Sequence, residues 1–333
     1  MKKLKKLLPG LIFTAILAWI AIGIENVPFV ERLHLNSLII AILMGVVIRN
    51  LIKIPASFEP GIHFSLKRVL KLAIILLGFK LSFTQVAEIG GKGLLQVSIV
   101  STCTMFFSYW VGKKLNLSDE LSLLIGTGSS ICGTSAVAAI GPIIKAEERD
   151  TGFAIAAVTI FGTLAMFLYP VLFRFLHLPQ MVYAVWSGSS IHGVGQAVAA
   201  GFAAGEMPGQ FATLVKLTRV LLLIPVALIL SYRQVKKDKL TTGNEMQSIA
   251  IPWFVFLFLA MVIINSINIV PTKVVGGIVE VNSFLLTLAM VGLGMKTSLA
   301  KIKEVGIKPF YAGFLTWVFI GTLSFIVSKI LFI

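Results

Sequence analysis

The chain has 333 residues, of which 57% are hydrophobic and 13% are charged, and its mean hydropathy is +0.96. This composition excludes an ordinary soluble domain and predicts an all-α integral membrane protein embedded in the lipid bilayer. The formal charge of +15 comes from Lys and Arg residues scattered through short loops, without the aromatic-lined patch of a nucleic-acid-binding protein. Cys103 and Cys132 form neither a metal motif nor a disulfide framework, and we expect no cofactor and no metal.

Eleven apolar runs near the ~20 residues needed to cross a bilayer follow one another along the chain. They lie at about 8–24, 37–53, 69–87, 94–111, 120–144, 152–173, 181–204, 210–230, 250–269, 277–297 and 309–331. The first run follows a lysine-rich start, and we interpret it as an uncleaved span because no small-residue cleavage site follows it.

The distribution of basic residues orients these runs. If the N-terminus is cytoplasmic, the segments on the cytoplasmic side hold 19 basic residues and the external loops hold five, as the positive-inside rule requires. The five outside residues are Arg32, Lys92, Lys145, Arg149 and Lys273. An odd number of spans then places the C-terminus outside.

An internal repeat joins the third run to the tenth. Residues 72–82 align with residues 288–298 at an offset of 216, and the two runs have opposite predicted orientations, as in the inverted repeats of secondary transporters. We predict one transporter domain with an extra N-terminal span over 1–30, a first repeat over 31–175 and a second over 176–333. Lys80 and Lys296 occupy equivalent positions, and because charge inside a membrane is costly, both are candidate substrate-binding residues.

The stretch 126–142 interrupts the fifth run with glycines, hydroxyl side chains and a proline. We predict a discontinuous helix, with one half ending near Ser129 and Ser130 and the next beginning near Thr134 or Ser135. The free N–H groups at the start of the second half would favour an anion. The alternative is a seam of small residues that lets helices pack closely.

A near-copy of this stretch lies in the seventh run. Gly188–Gly193 repeats Gly128–Gly133 at five of six positions, and two broken segments suggest one shared site. Spans five and seven are parallel in this count, so either the similarity is local or the second half is permuted and the span count is off by one. The candidate substrate-binding residues in the two copies are Ser129, Ser130, Cys132, Gly133, Thr134, Ser135, Ser189, Ser190, His192, Gly193 and Gln196.

The remaining ionisable residues favour an anion as substrate. Lys216 and Arg219 lie in the eighth run, and we expect them to snorkel to an interface. No Asp or Glu falls clearly in the middle of a span, whereas a carrier of cations would be expected to bind them with buried carboxylates. A hydrolase using Ser129 or Ser190 with His192 is an alternative, although no acid is placed to orient the histidine.

Three segments together resemble a known family: Gly128–Ala139, Thr151–Thr163 and Ser190–Gln196. They are similar to the YeiH-type sulfate exporter family of bacteria, which is grouped with the bile acid/sodium symporter and cation/proton antiporter-like transporters. The resemblance implies inverted repeats, crossed discontinuous helices and a core domain that moves against a panel domain. It also implies a plasma (inner) membrane location and export of a small inorganic or organic anion, sulfate or a related sulfonate, by alternating access. A homodimer is compatible with it, and we expect no enzymatic activity and no nucleic-acid partner. A sodium- or proton-coupled organic anion symporter and a channel stay open as alternatives.

Overall fold

A computed structural model describes residues 2–27, 36–238, 253–296 and 306–333. These residues are helical nearly throughout and include no strand, which confirms the all-α prediction. Six helical stretches are long and apolar enough to cross a membrane, and four shorter apolar helices accompany them. The six long stretches are Lys6–Glu25, Gly90–Lys114, Glu148–Phe175, Glu206–Gln234, Thr272–Lys296 and Ile307–Phe332.

The described helices follow most of the predicted apolar runs, but the third run is displaced: the continuous helical stretch there covers 59–80 rather than 69–87. In chain order they are α1 (Lys2–Glu25), α2 (Ser37–Leu51), α3 (Glu59–Phe64), α4 (Leu70–Leu77), α5 (Phe83–Lys114), α6 (Asp119–Ser130), α7 (Thr134–Ile143), α8 (Glu148–Phe175), α9 (Gln180–Ser190), α10 (Val194–Ala203), α11 (Glu206–Leu221), α12 (Leu223–Asp238), α13 (Trp253–Ser266), α14 (Thr272–Lys296) and α15 (Ile307–Phe332). A π-helical turn (Ser65–Val69) joins α3 to α4, and a 3₁₀ turn (Gly78–Lys80) follows α4. The backbone of α5 is kinked at Gly90.

The chain packs as two compact units. The first unit combines Met1–Glu88 with Trp253–Leu299, and the second combines Ile89–Pro252 with Ala300–Ile333. Each unit therefore draws residues from both predicted repeats.

Small residues bring the helices of the first unit together. A Cβ added to Gly45 of α2 would lie 2.9 Å from the Cα of Gly294 in α14. A Cβ added to Gly10 of α1 would likewise lie 2.9 Å from the Cα of Gly61 in α3. Such approaches suit a membrane protein, because helix association in lipid depends on close van der Waals packing rather than on the hydrophobic effect.

The second unit contains both interrupted segments. Within it, α8 has 28 residues, which at 1.5 Å per residue gives about 42 Å and is long enough to cross a bilayer. Aromatic side chains pack α8 against its neighbours: Tyr169 stacks on Trp186 of α9 with centroids 4.1 Å apart, and Phe161 stacks on Trp317 of α15 with centroids 5.8 Å apart.

The helices α6 and α7 form an antiparallel hairpin, which we call the first hairpin. A Cβ added to Gly141 of α7 would lie 4.0 Å from a Cδ atom of Leu124 in α6. In a straight helix these two residues would be about 25 Å apart, so α7 folds back along α6. The Ser118 hydroxyl, at the start of the hairpin, also donates to Asp150 in the first turn of α8. The hairpin therefore begins and ends at the same level.

The helices α9 and α10 form the second hairpin by the same criterion. The Tyr183 hydroxyl donates to the carbonyl of Ala200 over 2.7 Å, and a straight helix would again separate the two residues by about 25 Å. Each half is only 10 to 12 residues long, roughly 15–18 Å, which is shorter than the hydrocarbon core.

These hairpins change the expected topology. The fifth and seventh runs each begin and end at one level, so we expect nine of the eleven predicted runs to cross the membrane. One crossing helix, α8, separates the hairpins, which therefore open to opposite sides. The two Gly-Ser-Ser-Ile copies are then antiparallel, and the conflict between them and the inverted repeat disappears. Apolar length alone cannot distinguish a crossing helix from a hairpin of similar total length, which explains the different count.

Candidate functional site

The helix breaks occur at equivalent positions of the two copies. The first half-helix of each hairpin ends at a serine, Ser130 in α6 and Ser190 in α9. The second half-helix begins at Thr134 in the first hairpin and at Val194 in the second. We call residues 131–133 the first tip and residues 191–193 the second tip. The prediction of a half-helix ending near Ser129 and Ser130, followed by a second beginning near Thr134, is confirmed.

The two tips touch each other through glycine. Gly133 has a φ of 68°, a left-handed conformation that glycine adopts without strain. A Cβ added to Gly133 would lie 3.3 Å from both the Cα and the N of Gly193. Cys132 and His192, the residues that differ between the copies, are both buried. The carboxyl ends of α6 and α9 therefore converge on one place.

Lys216 of α11 ties the two tips together. Its side chain is fully buried, and its Nζ donates to the carbonyls of Ile131 (2.9 Å), Ile191 (2.7 Å) and His192 (2.6 Å). A lysine ammonium has three N–H donors, and all three are used here. The carbonyls come from both tips, so one charged group holds both breaks.

Arg219 follows one turn later on the same face of α11 and is also fully buried. Its Nε donates to the carbonyl of Ser130, and its Nη1 donates to the carbonyl of Ile191 over 3.0 Å. These are carbonyls at helix carboxyl ends, which lack intrahelical partners and carry the negative end of the helix dipole. The Ser101 hydroxyl of α5 also donates to Ser130, over 2.8 Å.

The expectation that Lys216 and Arg219 snorkel to an interface is wrong. Both side chains point into the protein because the broken helix ends offer carbonyl acceptors there. Within the described part of the chain, the ion pairs involve other cations, and neither Lys216 nor Arg219 pairs with a carboxylate. Two positive charges therefore lie in the interior without an acidic partner among the described residues.

Unpartnered polar atoms lie in and beside the tips. Among the residues the structure describes, the hydroxyls of Ser129 and Ser130, both ring nitrogens of His192 and the Nη2 of Arg219 are buried without a hydrogen-bond partner. Buried polar groups are nearly always paired, and each exception requires an explanation. Five of the ten such atoms in the described residues lie in or beside the tips, which makes the tips the candidate site.

The two equivalent serines of the second copy, in contrast, have hydrogen-bond partners. The Ser189 hydroxyl donates to the carbonyl of Val185 over 2.5 Å and lies 2.7 Å from the hydroxyl of Ser324 in α15. The Ser190 hydroxyl donates to the carbonyl of Trp186 over 2.5 Å. These contacts stabilise α9 and its packing in the second unit.

The remaining predicted residues of the hairpins lie around the tips. The Gln196 Oε1 accepts from the Gly193 N–H over 2.9 Å and caps α10. Thr134 and Ser135 are exposed in the first turn of α7. Among the described residues, no hydrogen bond joins a ring nitrogen of His192 to a serine hydroxyl.

The repeated lysines lie in the first unit, whereas the hairpins lie in the second. Lys80 is the last residue of its 3₁₀ turn, and Lys296 is the last described residue of α14; residues 297 and 298 of the aligned stretch lie outside the described residues. The Nζ of Lys296 lies 2.8 Å from an Oε of Glu59, which also pairs with Arg49. Sequence reasoning missed Glu59, because it lies 237 residues from Lys296 and no local pattern connects them.

The chain is similar to known membrane proteins over almost its whole length. A family model described as conserved hypothetical protein 698 matches residues 9–313, which include both hairpins and α11. A UPF0324 membrane protein of Photorhabdus laumondii is 36% identical over 327 residues, covering 95% of this chain and 91% of the relative. The UPF0324 inner membrane protein YeiH of Salmonella typhimurium is 37% identical over 321 residues, covering 94% of this chain and 92% of the relative. A UPF0324 membrane protein of Bacteroides thetaiotaomicron is 34% identical over 331 residues, covering 98% of each.

Proposed function

The chain belongs to the conserved hypothetical protein 698 family, whose relatives are UPF0324 membrane proteins, and we propose that it is a secondary transporter of a small anion. The substrate binds between the two hairpin tips. Discontinuous helical elements that meet deep in a protein are the usual substrate site of secondary transporters. The plasma membrane is the location that follows from the inner-membrane relatives.

The observation that supports this proposal is the uncompensated charge at the tips. Burying an ion removes it from water at a cost of several kcal/mol, and hydrogen bonds to backbone carbonyls offset only part of that cost for Lys216 and Arg219. A bound dianion would neutralise both charges. It would also accept hydrogen bonds from the hydroxyls of Ser129 and Ser130 and from the Nη2 of Arg219, the donors that lack a partner. A cation would gain nothing at this place.

Sulfate or a sulfonate fits the chemistry of these donors. A guanidinium group and hydroxyl groups bind oxyanions through short, charge-assisted hydrogen bonds. Sulfate keeps two negative charges at neutral pH, so one ion would balance Lys216 and Arg219 together. A carboxylate would balance one of the two charges and fill fewer of the donors.

The direction of transport follows from charge. A membrane potential of about 100 mV, negative inside, is worth about 2.3 kcal/mol per charge, so a dianion moves outward with about 4.6 kcal/mol of driving force. Export therefore needs no coupling ion, whereas uptake would.

The hairpins also change the predicted side of three basic residues. Lys145 and Arg149 are now assigned to the inside and Arg174 to the outside, so the count of basic residues becomes 20 inside and four outside instead of 19 and five. This supports a cytoplasmic N-terminus and an external C-terminus.

A thermal-shift screen of the purified protein tests the proposal. A ligand that binds only the native state adds about 2.7 kcal/mol of stability at 100 times its Kd. We expect sulfate to raise the Tm of the wild type and of the control Lys329→Ala, an exposed lysine at the end of α15. Arg219→Lys keeps the charge but lacks the unpartnered Nη2, and we expect a smaller shift. If sulfate, sulfonates and carboxylates all leave the wild-type Tm unchanged, the anion site is refuted.

A further inference from the structure

The carboxyl ends of the half-helices are the places where transporters usually bind their coupling ion. In discontinuous helices, the unwound carbonyls and the negative dipole ends coordinate sodium or a proton carrier. Here Lys216 and Arg219 donate to those same carbonyls, at residues 130, 131, 191 and 192. We infer that these two side chains are resident cations that take the place of a coupling ion, so that anion binding does not depend on sodium. This inference rests on the proposed anion transport.

The geometry around Lys216 requires the charged form of its amino group. Its nitrogen lies within 2.6–2.9 Å of three carbonyl oxygens. A neutral amine has only two N–H donors, and its lone pair would face the third carbonyl oxygen, which is repulsive. An ammonium satisfies all three acceptors. In this arrangement Lys216 therefore keeps its proton, and it does not deliver that proton to the other side of the membrane.

Arg219 provides the second permanent charge. A guanidinium is not deprotonated in proteins, and two of its nitrogens are held by Ser130 and Ile191 while the third is left for a ligand. Lys216 thus serves the tips alone, whereas Arg219 serves both the tips and the anion.

The surroundings of the tips are also unfavourable for a cation. The described residues contain no group of three His, Cys, Asp or Glu residues that could hold a metal ion, and the convergent carbonyl oxygens already accept from Lys216 and Arg219. A sodium ion at the tips would be repelled by both of these buried cations.

Sulfate binding to the wild type gives the direct test. The Kd for sulfate is measured in detergent with sodium as the only small cation, and again with sodium replaced by N-methyl-D-glucamine. A coupling ion typically changes the affinity of its partner ligand by about 5- to 150-fold, whereas we expect the two Kd values to agree within about twofold. Binding that requires sodium would overturn this inference and leave the anion site standing. If sulfate, sulfonates and carboxylates all fail to bind under both conditions, the proposed function itself fails.

A substitution at Lys216 provides the complementary test. Lys216→Ala leaves the three carbonyls without a donor and opens room for an ion, so we expect sodium to raise the Tm of this variant. Lys216→Met keeps the length of the side chain without its charge and fills that room, and Lys329→Ala leaves the tips intact; sodium should change the Tm of neither. If Lys216→Ala gains no stability from sodium, or if the wild type does, the inference is wrong. The wild-type Kd comparison decides the matter if Lys216→Ala does not fold.

Discussion

Replacing Lys216 with Met should lower the free energy of unfolding of the protein. The substitution keeps the length of the side chain and removes all three N–H donors. Ile191 still accepts from the Nη1 of Arg219, but the carbonyls of Ile131 and His192 lose the donor that Lys216 gave them.

The magnitude follows from those two acceptors. A buried acceptor left without a partner costs about 1–3 kcal/mol, which gives roughly 2–6 kcal/mol for the pair. Burying Met instead of an ammonium recovers part of this, because the charge no longer has to be desolvated. We therefore expect a loss of about 3 kcal/mol in the free energy of unfolding.

Denaturant unfolding in detergent micelles, followed by tryptophan fluorescence, measures this loss. The matched control is Lys329→Met, which removes an exposed lysine and should change stability by less than about 0.5 kcal/mol. If Lys216→Met is no less stable than this control, the ammonium does not hold the tips, and the reasoning about resident cations fails.

Three further predictions concern the hairpins. In a cysteine-free background, Lys145→Cys should be labelled only from the cytoplasm and His177→Cys only from outside; the reverse pattern would mean that the fifth and seventh runs cross the membrane. Tyr183→Phe removes the bond to Ala200 and should lower the free energy of unfolding by about 1 kcal/mol; an unchanged unfolding midpoint would argue against the fold-back. Gly133→Ala places a Cβ at a φ of 68° against the second tip, so it should destabilise by about 1–2 kcal/mol or more and weaken sulfate binding, which equilibrium binding measures.

The helix breaks could be predicted from the sequence because their cause is local. Glycine and serine in an apolar run disfavour a regular helix, and the repeated motif identifies two equivalent places for a break. In the structure the helices end at those places, at Ser130 and Ser190. The reversal of the chain is not local. It depends on contacts such as that between Tyr183 and Ala200, and a kinked crossing helix would have the same sequence signals.

The roles of Lys216 and Arg219 could also be predicted only in part from the sequence. Their position along the eighth run is visible in the sequence, but the direction in which they point depends on where the tips lie. One signal was available: Lys216 and Arg219 are three residues apart and therefore share one face of a helix. Two cations on one face of an otherwise apolar helix favour a polar interior target over snorkelling, which is normally found at helix ends. The pairing of Lys296 with Glu59 had no comparable signal.

Sulfate efflux from proteoliposomes tests the central claim most directly. Vesicles loaded with radiolabelled sulfate, with an imposed potential that is negative inside and no sodium present, should release sulfate faster than protein-free vesicles. Removing the potential should slow the release, and Arg219→Lys should reduce it while Lys329→Ala does not. The account is contradicted if the wild type moves no sulfate under these conditions, or if Arg219→Lys moves it as fast as the wild type does.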